Sequence, residues 1–314
     1  MSTTIESTAL SHCSICQGGM RHLFETNDYR RPNHSAIYAV VWCMRCMYGK
    51  IAAEFVPEQV ARFYDIEYYT HGAPNTSTSP HSFLERVRNH AAWRFDKGCE
   101  FSPAEVGRSG RLLDIGCGSG SNMSKLKAAG FNVVGVEPDP NARNVAAQFG
   151  AVYSGTAEAP PVEVGGEYDY VLLSHVLEHT ISPTKALERA HGLLSKGGKL
   201  IVEVPNCEAT GFKEFGPAWP WTDVPRHLHF FSQNSLTKFL EAAGFQISTV
   251  LWTGFTRQFS SSWIHDMDAI HKAVQNPEYS SSWFKRQSWG LLLRTAIASS
   301  NYKYDSVRIH ALKV

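Results

Sequence analysis

The stretch LLDIGCGSGS, residues 112–121, constrains the fold of this chain more than any other. A short apolar run ends in an acid and passes directly into glycines at positions 116, 118 and 120. Glycine tolerates positive φ, so a turn this rich in it can bring backbone N–H groups close to a nucleotide at the start of a helix. The dinucleotide fingerprint places its third glycine one position later, where Ser121 stands. Asp114 points the same way, because a carboxylate at the strand end repels a diphosphate and suits a ligand carrying an ammonium and a sulfonium. Glu137, in VVGVEPDP, ends the next strand-like run about 20 residues on, where an acid can accept hydrogen bonds from ribose hydroxyls.

From Arg111 onward strand and helix signals alternate. RLLDIG, NVVGVEP, YDYVLLSH and KLIVEVP read as strands, and AVYSG as a shorter one. SNMSKLKAAG reads as a helix stopped at Gly130, NARNVAAQFG as a second helix, and SQNSLTKFLEAAG as a third, capped by Ser232 and ended at Gly244. This βαβα order predicts an α/β fold with a parallel sheet covered on both faces. FQISTVLWTG and SVRIHALKV read as two more strands, separated by a helical insertion at 255–303. Trp263, Trp283 and Trp289 either pack this insertion on the core or form a homodimer contact. Residues 57–110 read as a helical connector or lid, in which Phe83, Leu84, Val87, Ala91 and Phe95 have the spacing of one helix face. The division expected is 1–56, 57–110 and 111–314.

Four segments in this order resemble the class I S-adenosylmethionine-dependent methyltransferases: LLDIGCGSG, GVEPDP, YDYVLLSHVLEHT and LLSKGGKLIVEVPN. The likeness covers about 111–250 and the final strand. It implies a Rossmann-like seven-stranded sheet whose last strand runs antiparallel. It also implies that Asp114, Gly116 and Gly118 hold the methionine part of the cofactor, with Cys117 a small residue inside this cofactor-binding loop. Glu137 would hold the ribose, with Pro138 beside the adenine. Thr156 and Ala157, in GTAE, fall at the adenine edge, where the family often has an aspartate, and Ser174 closes the fourth strand.

The first 56 residues carry CSIC (Cys13, Cys16) and CMRC (Cys43, Cys46). Four soft thiolates on two knuckles suit one tetrahedral Zn²⁺ and leave no open position for water, so the site reads as structural. His12, His22 and His34 lie nearby as alternative ligands, and a redox dithiol is the competing reading. The arrangement resembles a subgroup of small-molecule methyltransferases with an N-terminal four-cysteine zinc module. That subgroup includes the C-methyltransferases of deoxysugar nucleotides.

In an open α/β sheet the acceptor sits beyond the carboxyl ends of the strands. SHVLEHT (174–180) and WPWTDVPRHLHFFS (219–232) should arrive there. An unperturbed histidine titrates near about pH 6.5 and can take a proton from a hydroxyl. His227 is the candidate general base and His175 the alternative, with a structural hydrogen bond as the competing role for each. His227 and His229 alternate with apolar residues and would share a face if extended. Glu178 and His179 would begin a helix, with Glu178 favoured by its N-terminal field. Trp219, Trp221, Arg226 and His229 are candidate lining residues of the acceptor pocket, Arg226 suiting a carboxylate or phosphate. Tyr64, Tyr68 and Tyr69 could close over it; inter-domain packing is the plainer role for these aromatics.

A net charge of +1 makes the chain no general trap for nucleic acid or anionic membrane. MSTTIESTALSHCS lacks a basic start followed by an apolar core, and no apolar run suits a membrane helix, so a cytoplasmic protein is expected. The reading is an S-adenosylmethionine-dependent methyltransferase with structural zinc, acting at oxygen, carbon or nitrogen of a small molecule, a sugar or secondary metabolite. RNA methylation, a zinc-dependent interaction protein that only senses the cofactor, and an NAD-linked oxidoreductase are the alternatives. Residues 1–56 hold five Arg/Lys against four Asp/Glu, which gives RNA binding weak support.

Overall fold

The structure is a computed structural model that describes residues 12–31, 35–65, 82–274 and 281–314. Its strands are β1 (Arg21–Asn27), β2 (Ile37–Cys43), β3 (Tyr48–Ile51), β4 (Arg111–Ile115), β5 (Asn132–Val136), β6 (Ala151–Tyr153), β7 (Tyr168–Ser174), β8 (Leu194–Pro205), β9 (His229–Phe230), β10 (Phe245–Thr253) and β11 (Ser306–Lys313). Seven of them form one sheet in the order β10-β11-β8-β7-β4-β5-β6. Strands β4 to β8 pair in parallel, and β11 runs antiparallel to both its neighbours. The central strands are apolar almost throughout because helices cover both faces. Leu112, Leu113, Ile115, Val171, Leu172, Leu173, Leu200, Ile201 and Val202 are all buried. The strand order reverses at β4, so the glycine turn that follows it opens into the crevice where such sheets bind ligands.

The other sheet has the order β1-β2-β3-β9. Its last strand comes from the segment that follows β8, with Gly49 opposite Phe230 and Lys50 opposite His229. The cysteine-bearing segment is thus joined to the segment that follows β8 by a shared sheet. Gly49 permits the close approach: a Cβ there would stand 2.7 Å from the Trp42 ring and 3.1 Å from Phe230 Cβ.

Two local expectations need correction. Helix Phe83–Phe95 forms, but it buries Arg88 and Ala92 instead of the face predicted from apolar spacing. Phe83 and Leu84 are 78% and 64% exposed. The Arg88 guanidinium donates to the Phe259 carbonyl at 2.9 and 3.1 Å and to Ser288 Oγ at 3.1 Å. A buried guanidinium must be paired, and that requirement sets the helix rotation. Glu178 and His179 lie on a single 3₁₀ turn, Leu177–His179, and the helix itself starts at Pro183 behind a Ser182 cap. The helix field therefore does not act on Glu178 as its first turn. Elsewhere local signals hold: Ser235 N–H donates to the Ser232 hydroxyl at 3.0 Å, and the insertion is helical over Ser261–Ala273 and Ser281–Thr295. Its Trp263, Trp283 and Trp289 pack into the apolar cluster around Trp219 and Phe284. Among the described residues no helix is long and apolar enough to cross a membrane.

Candidate active site

The turn after β4 has all three glycines at positive φ: 71° at Gly116, 53° at Gly118 and 85° at Gly120. A Cβ at Gly116 would stand 2.4 Å from Val176 Cγ2 and one at Gly120 2.7 Å from the Phe149 ring, so both must be glycine. Gly118 has no atom within 4 Å of a Cβ position, so this side of the turn is open. Asp114 is 1% exposed, and its Oδ2 has no hydrogen-bond partner among the described residues. Burial, and then the nearby Glu137 carboxylate, push its carboxyl up to about 8. An orphaned buried carboxyl on the strand that leads into this glycine turn is what an ammonium-bearing ligand would complete, so the residues fit S-adenosylmethionine.

Glu137 accepts from the Gly118 N–H at 2.9 Å and from the Asp139 N–H at 3.0 Å, which ties the ends of β4 and β5 together. Pro138 is exposed at the same edge. The Thr156 hydroxyl accepts from the Ala159 N–H at 3.2 Å, closing the turn that buries Ala157. Cys117 is buried. Its Sγ would stand 2.8 Å from a Cβ on Gly135, so the side chain packs against β5, behind the turn. Ser174 ends β7, beside the mouth.

His175 follows at φ +56° and stacks on Trp221 at 4.8 Å. Its Nδ1 lies 3.3 Å from Glu178 Oε1 and its Nε2 3.3 Å from Glu203 Oε1. A carboxylate at each ring nitrogen requires an N–H on each, so this ring is an imidazolium with no lone pair. Burial favours its neutral form, but the two carboxylates outweigh that and raise the pKa to about 9. The stability this charge contributes is full below about pH 6.5 and is lost as pH rises through about 9. His175 is therefore a fixed cation and cannot serve as the base at neutral pH. Glu203 is held in turn by Arg308, whose Nε donates at 2.7 Å.

His227 has the complementary electronics. Its Nδ1–H donates to the Trp221 carbonyl at 2.7 Å, which leaves the lone pair on Nε2. Burial, and then His179, press its pKa down to about 4 against the pull of Glu178 and Asp223. Glu178 is fully buried, and its Oε2 has no hydrogen-bond partner among the described residues. Glu178, His179 and His227 bring ligand atoms within 4.8 Å of one another, a spacing that also admits a cation. The His179 ring is held at Nδ1 by Tyr64 Oη at 2.8 Å and by the Arg226 carbonyl at 3.0 Å.

Other sequence candidates lie elsewhere. The expected common face of His227 and His229 does not form, because extended pairing begins only at His229 and His227 closes a turn on the Asp223 carbonyl. His229 turns to the N-terminal sheet, stacking on Tyr48 with Nδ1 2.5 Å from its hydroxyl. Arg226 is fully buried; its guanidinium donates to Asp28 at 2.7 and 3.1 Å and to Asp223 at 2.9 Å, so its charge is spent inside the protein. Trp219 is 1% exposed and packs on Phe215 and Trp263. Trp221 lies between His175 and the Arg257 guanidinium, 5.0 Å from the latter. Tyr68 and Tyr69 fall outside the described residues. Sequence reasoning missed Glu203, whose signal was a lone acid inside the apolar run LIVEVP, and Asp28 and Tyr48, which had none.

Cys13, Cys16, Cys43 and Cys46 bring their sulfurs within 4.8 Å of one another, with Cys16 and Cys43 3.7 Å apart. A tetrahedral ion with Zn–S bonds of about 2.3 Å needs sulfurs about 3.8 Å apart. The Ile15 N–H donates to Cys13 Sγ and the Cys46 N–H to Cys43 Sγ, both at 3.4 Å, as in a knuckle that stabilises thiolates. The donor set fits zinc.

An acid-tipped strand entering a glycine turn at the switch point of this seven-stranded sheet defines a class I methyltransferase fold. A model of the methyltransferase-domain family matches residues 86–250, slightly more than half of the 314 residues. The ubiquinone biosynthesis O-methyltransferase of a Caulobacter species is 31% identical over 194 residues, covering 56% of this chain and 75% of that protein. The enzyme of the same name from Ruegeria pomeroyi is 32% identical over 175 residues, covering 52% and 70%. Among solved structures, the Burkholderia thailandensis 1,6-didemethyltoxoflavin-N1-methyltransferase covers 88% of this chain and 96% of its own at 17% identity, with a TM-score of 0.48. The chain belongs to the methyltransferase-domain family and is an S-adenosylmethionine-dependent methyltransferase.

Proposed function

We propose that this chain methylates a hydroxyl of a small-molecule acceptor, with His227 taking the hydroxyl proton and the four cysteines holding a structural zinc ion. When bound, S-adenosylmethionine supplies a methyl group already activated on a cationic sulfur. The protein's tasks are then to align the acceptor and to remove one proton. Asp114 would hold the ammonium, Glu137 the ribose hydroxyls, and the backbone of Gly116 to Gly118 the remainder, with Pro138, Thr156 and Ala157 along the adenine and Ser174 at the mouth. His227 carries the reading: a neutral buried ring with Nδ1–H committed to a carbonyl has one atom left, Nε2, and that atom accepts a proton. The unpartnered Glu178 Oε2 nearby would stabilise the imidazolium so formed. The relatives named as O-methyltransferases also favour oxygen as the acceptor atom.

The test is incubation of the protein with methyl-labelled cofactor and a small-metabolite extract. Label is expected in a methoxy group of a hydroxylated sugar or aromatic metabolite. Label confined to RNA, or none in any fraction, overturns the reading.

The state of Asp114 gives a separate prediction. Without ligand its carboxyl is protonated below about pH 8, whereas the ammonium selects the carboxylate. Affinity for S-adenosylhomocysteine should therefore rise with pH, by up to about tenfold per unit between about pH 6 and 8, and level off above. Calorimetry near neutral pH should show release of close to one proton. Asp114→Asn should weaken binding and flatten this slope; an unchanged slope would remove Asp114 from the ammonium site.

A further inference from the structure

We infer that the four-cysteine module is a working part of the catalytic site: it grips the segment 223–230 on both sides of His227, which makes Asp28 and Tyr48 positioning residues. This rests on the reading of His227 as proton acceptor. On one side, Asp28 follows β1 and binds Arg226 through two hydrogen bonds, while Arg30 reaches Asp223 at 3.2 Å. On the other side, β3 pairs with β9, the Ile51 N–H donates to the Leu228 carbonyl at 3.0 Å, and Tyr48 holds the His229 ring by stacking and through its hydroxyl.

Tyr48 stands two residues beyond the ligand Cys46, whose carbonyl accepts from Asn234 Nδ2 at 3.3 Å on the helix after β9. Between these grips the Leu228 N–H donates to the Glu178 carbonyl at 2.8 Å, and the Arg226 carbonyl meets His179 Nδ1 at 3.0 Å. The module thus sets the spacing of His227 from both Glu178 and His179. None of these contacts is made by the glycine turn itself, which meets the 175–179 segment where Val176 packs against Gly116.

The test compares Asp28→Asn, Asp28→Glu and Tyr48→Phe with the wild-type protein. Asp223 still pairs Arg226 in the first two, and Tyr48→Phe keeps the stacked ring. Zinc content is expected to stay stoichiometric and S-adenosylhomocysteine affinity within threefold of wild type. Label transfer to the metabolite extract should fall at least tenfold in Asp28→Asn, recover partly in Asp28→Glu, and fall severalfold in Tyr48→Phe. Nitrogen NMR of the imidazoles should show the His227 ring losing its single Nδ1–H tautomer in Asp28→Asn. Transfer within twofold of wild type in both Asp28→Asn and Tyr48→Phe overturns the inference, as does a cofactor affinity that falls in step with transfer. If His227→Gln leaves transfer unchanged, the base assignment fails instead, and the NMR result alone decides whether the module fixes this ring.

Discussion

Replacement of His227 by alanine is expected to slow methyl transfer by about 10²–10⁴-fold, the usual contribution of a positioned general base. Cofactor affinity should be unchanged, because the proposed base is separate from Asp114, the proposed ammonium site. The pH profile separates this base from an ordinary histidine. The neutral ring is the active form, and its pKa is pressed down to about 4. The His227-dependent rate should therefore hold steady as pH falls from about 8 to about 5 and drop only near about 4, whereas an unperturbed histidine would lose half its effect near about 6.5. His175 acts oppositely: it is the protonated form that is built in, and it is lost as pH rises through about 9. Glu203→Gln removes one of the two carboxylate charges that hold this cation, so the pH at which His175 loses its proton should move down. Imidazole titration by NMR reads both shifts. A rate limb near pH 6.5 in the wild-type protein, removed by His227→Ala, would contradict the low value, and a fully active His227→Ala protein would end its role as base.

The glycine turn and the acids beside it were legible in the sequence because they are local. Asp114, the three glycines and Ser121 occupy one strand-turn-helix unit, and Glu137 ends the strand paired with β4. The paired cysteines were legible for the same reason, since each knuckle spans four residues. The surroundings of His175 and of the segment 223–230 were not, because long-range partners decide their chemistry. Nothing near Arg226 announces that Asp28, 198 residues away, consumes its charge. Tyr48 lies 181 residues from His229 and turns it away from the face it was expected to share with His227. His175 reads as a base until Glu203, on a different strand, supplies its second carboxylate. In each case the residue itself was legible, while its protonation state or direction depended on a partner that no local pattern reveals. Helix Phe83–Phe95 shows the same limit in packing, where one buried arginine overrode five apolar residues at helical spacing.

Cys43→Ser is expected to abolish binding of the proposed zinc ion and melt the N-terminal sheet while the seven-stranded sheet persists. Structural zinc contributes about 10–16 kcal/mol in peptide models at neutral pH, as much as the whole stability of a typical domain. Leu23 and Ile37 of β1 and β2 stay 42% and 46% exposed, the buried Val41 and Tyr48 share a cluster with Leu113 and Leu236 instead of forming a core of the module's own, and the sheet is completed only by the two residues of β9. Cys43 ends β2 and Cys46 lies in the turn into β3, so losing the ion frees the connection that aligns these strands. The main sheet is different, with β4, β7, β8 and β11 buried on both faces and none of them touching the cysteines in its ladder. Metal analysis should give one zinc per wild-type chain and none in Cys43→Ser. Hydrogen exchange should speed up across β1 to β3 and through 223–230, but not across β4 or β7. S-adenosylhomocysteine should still bind. Metal-free wild-type protein, or a Cys43→Ser protein that exchanges and melts like the wild type, overturns the zinc assignment. Loss of protection across both sheets together would show one cooperative unit, in which the ion holds up the cofactor site as well as the segment around His227.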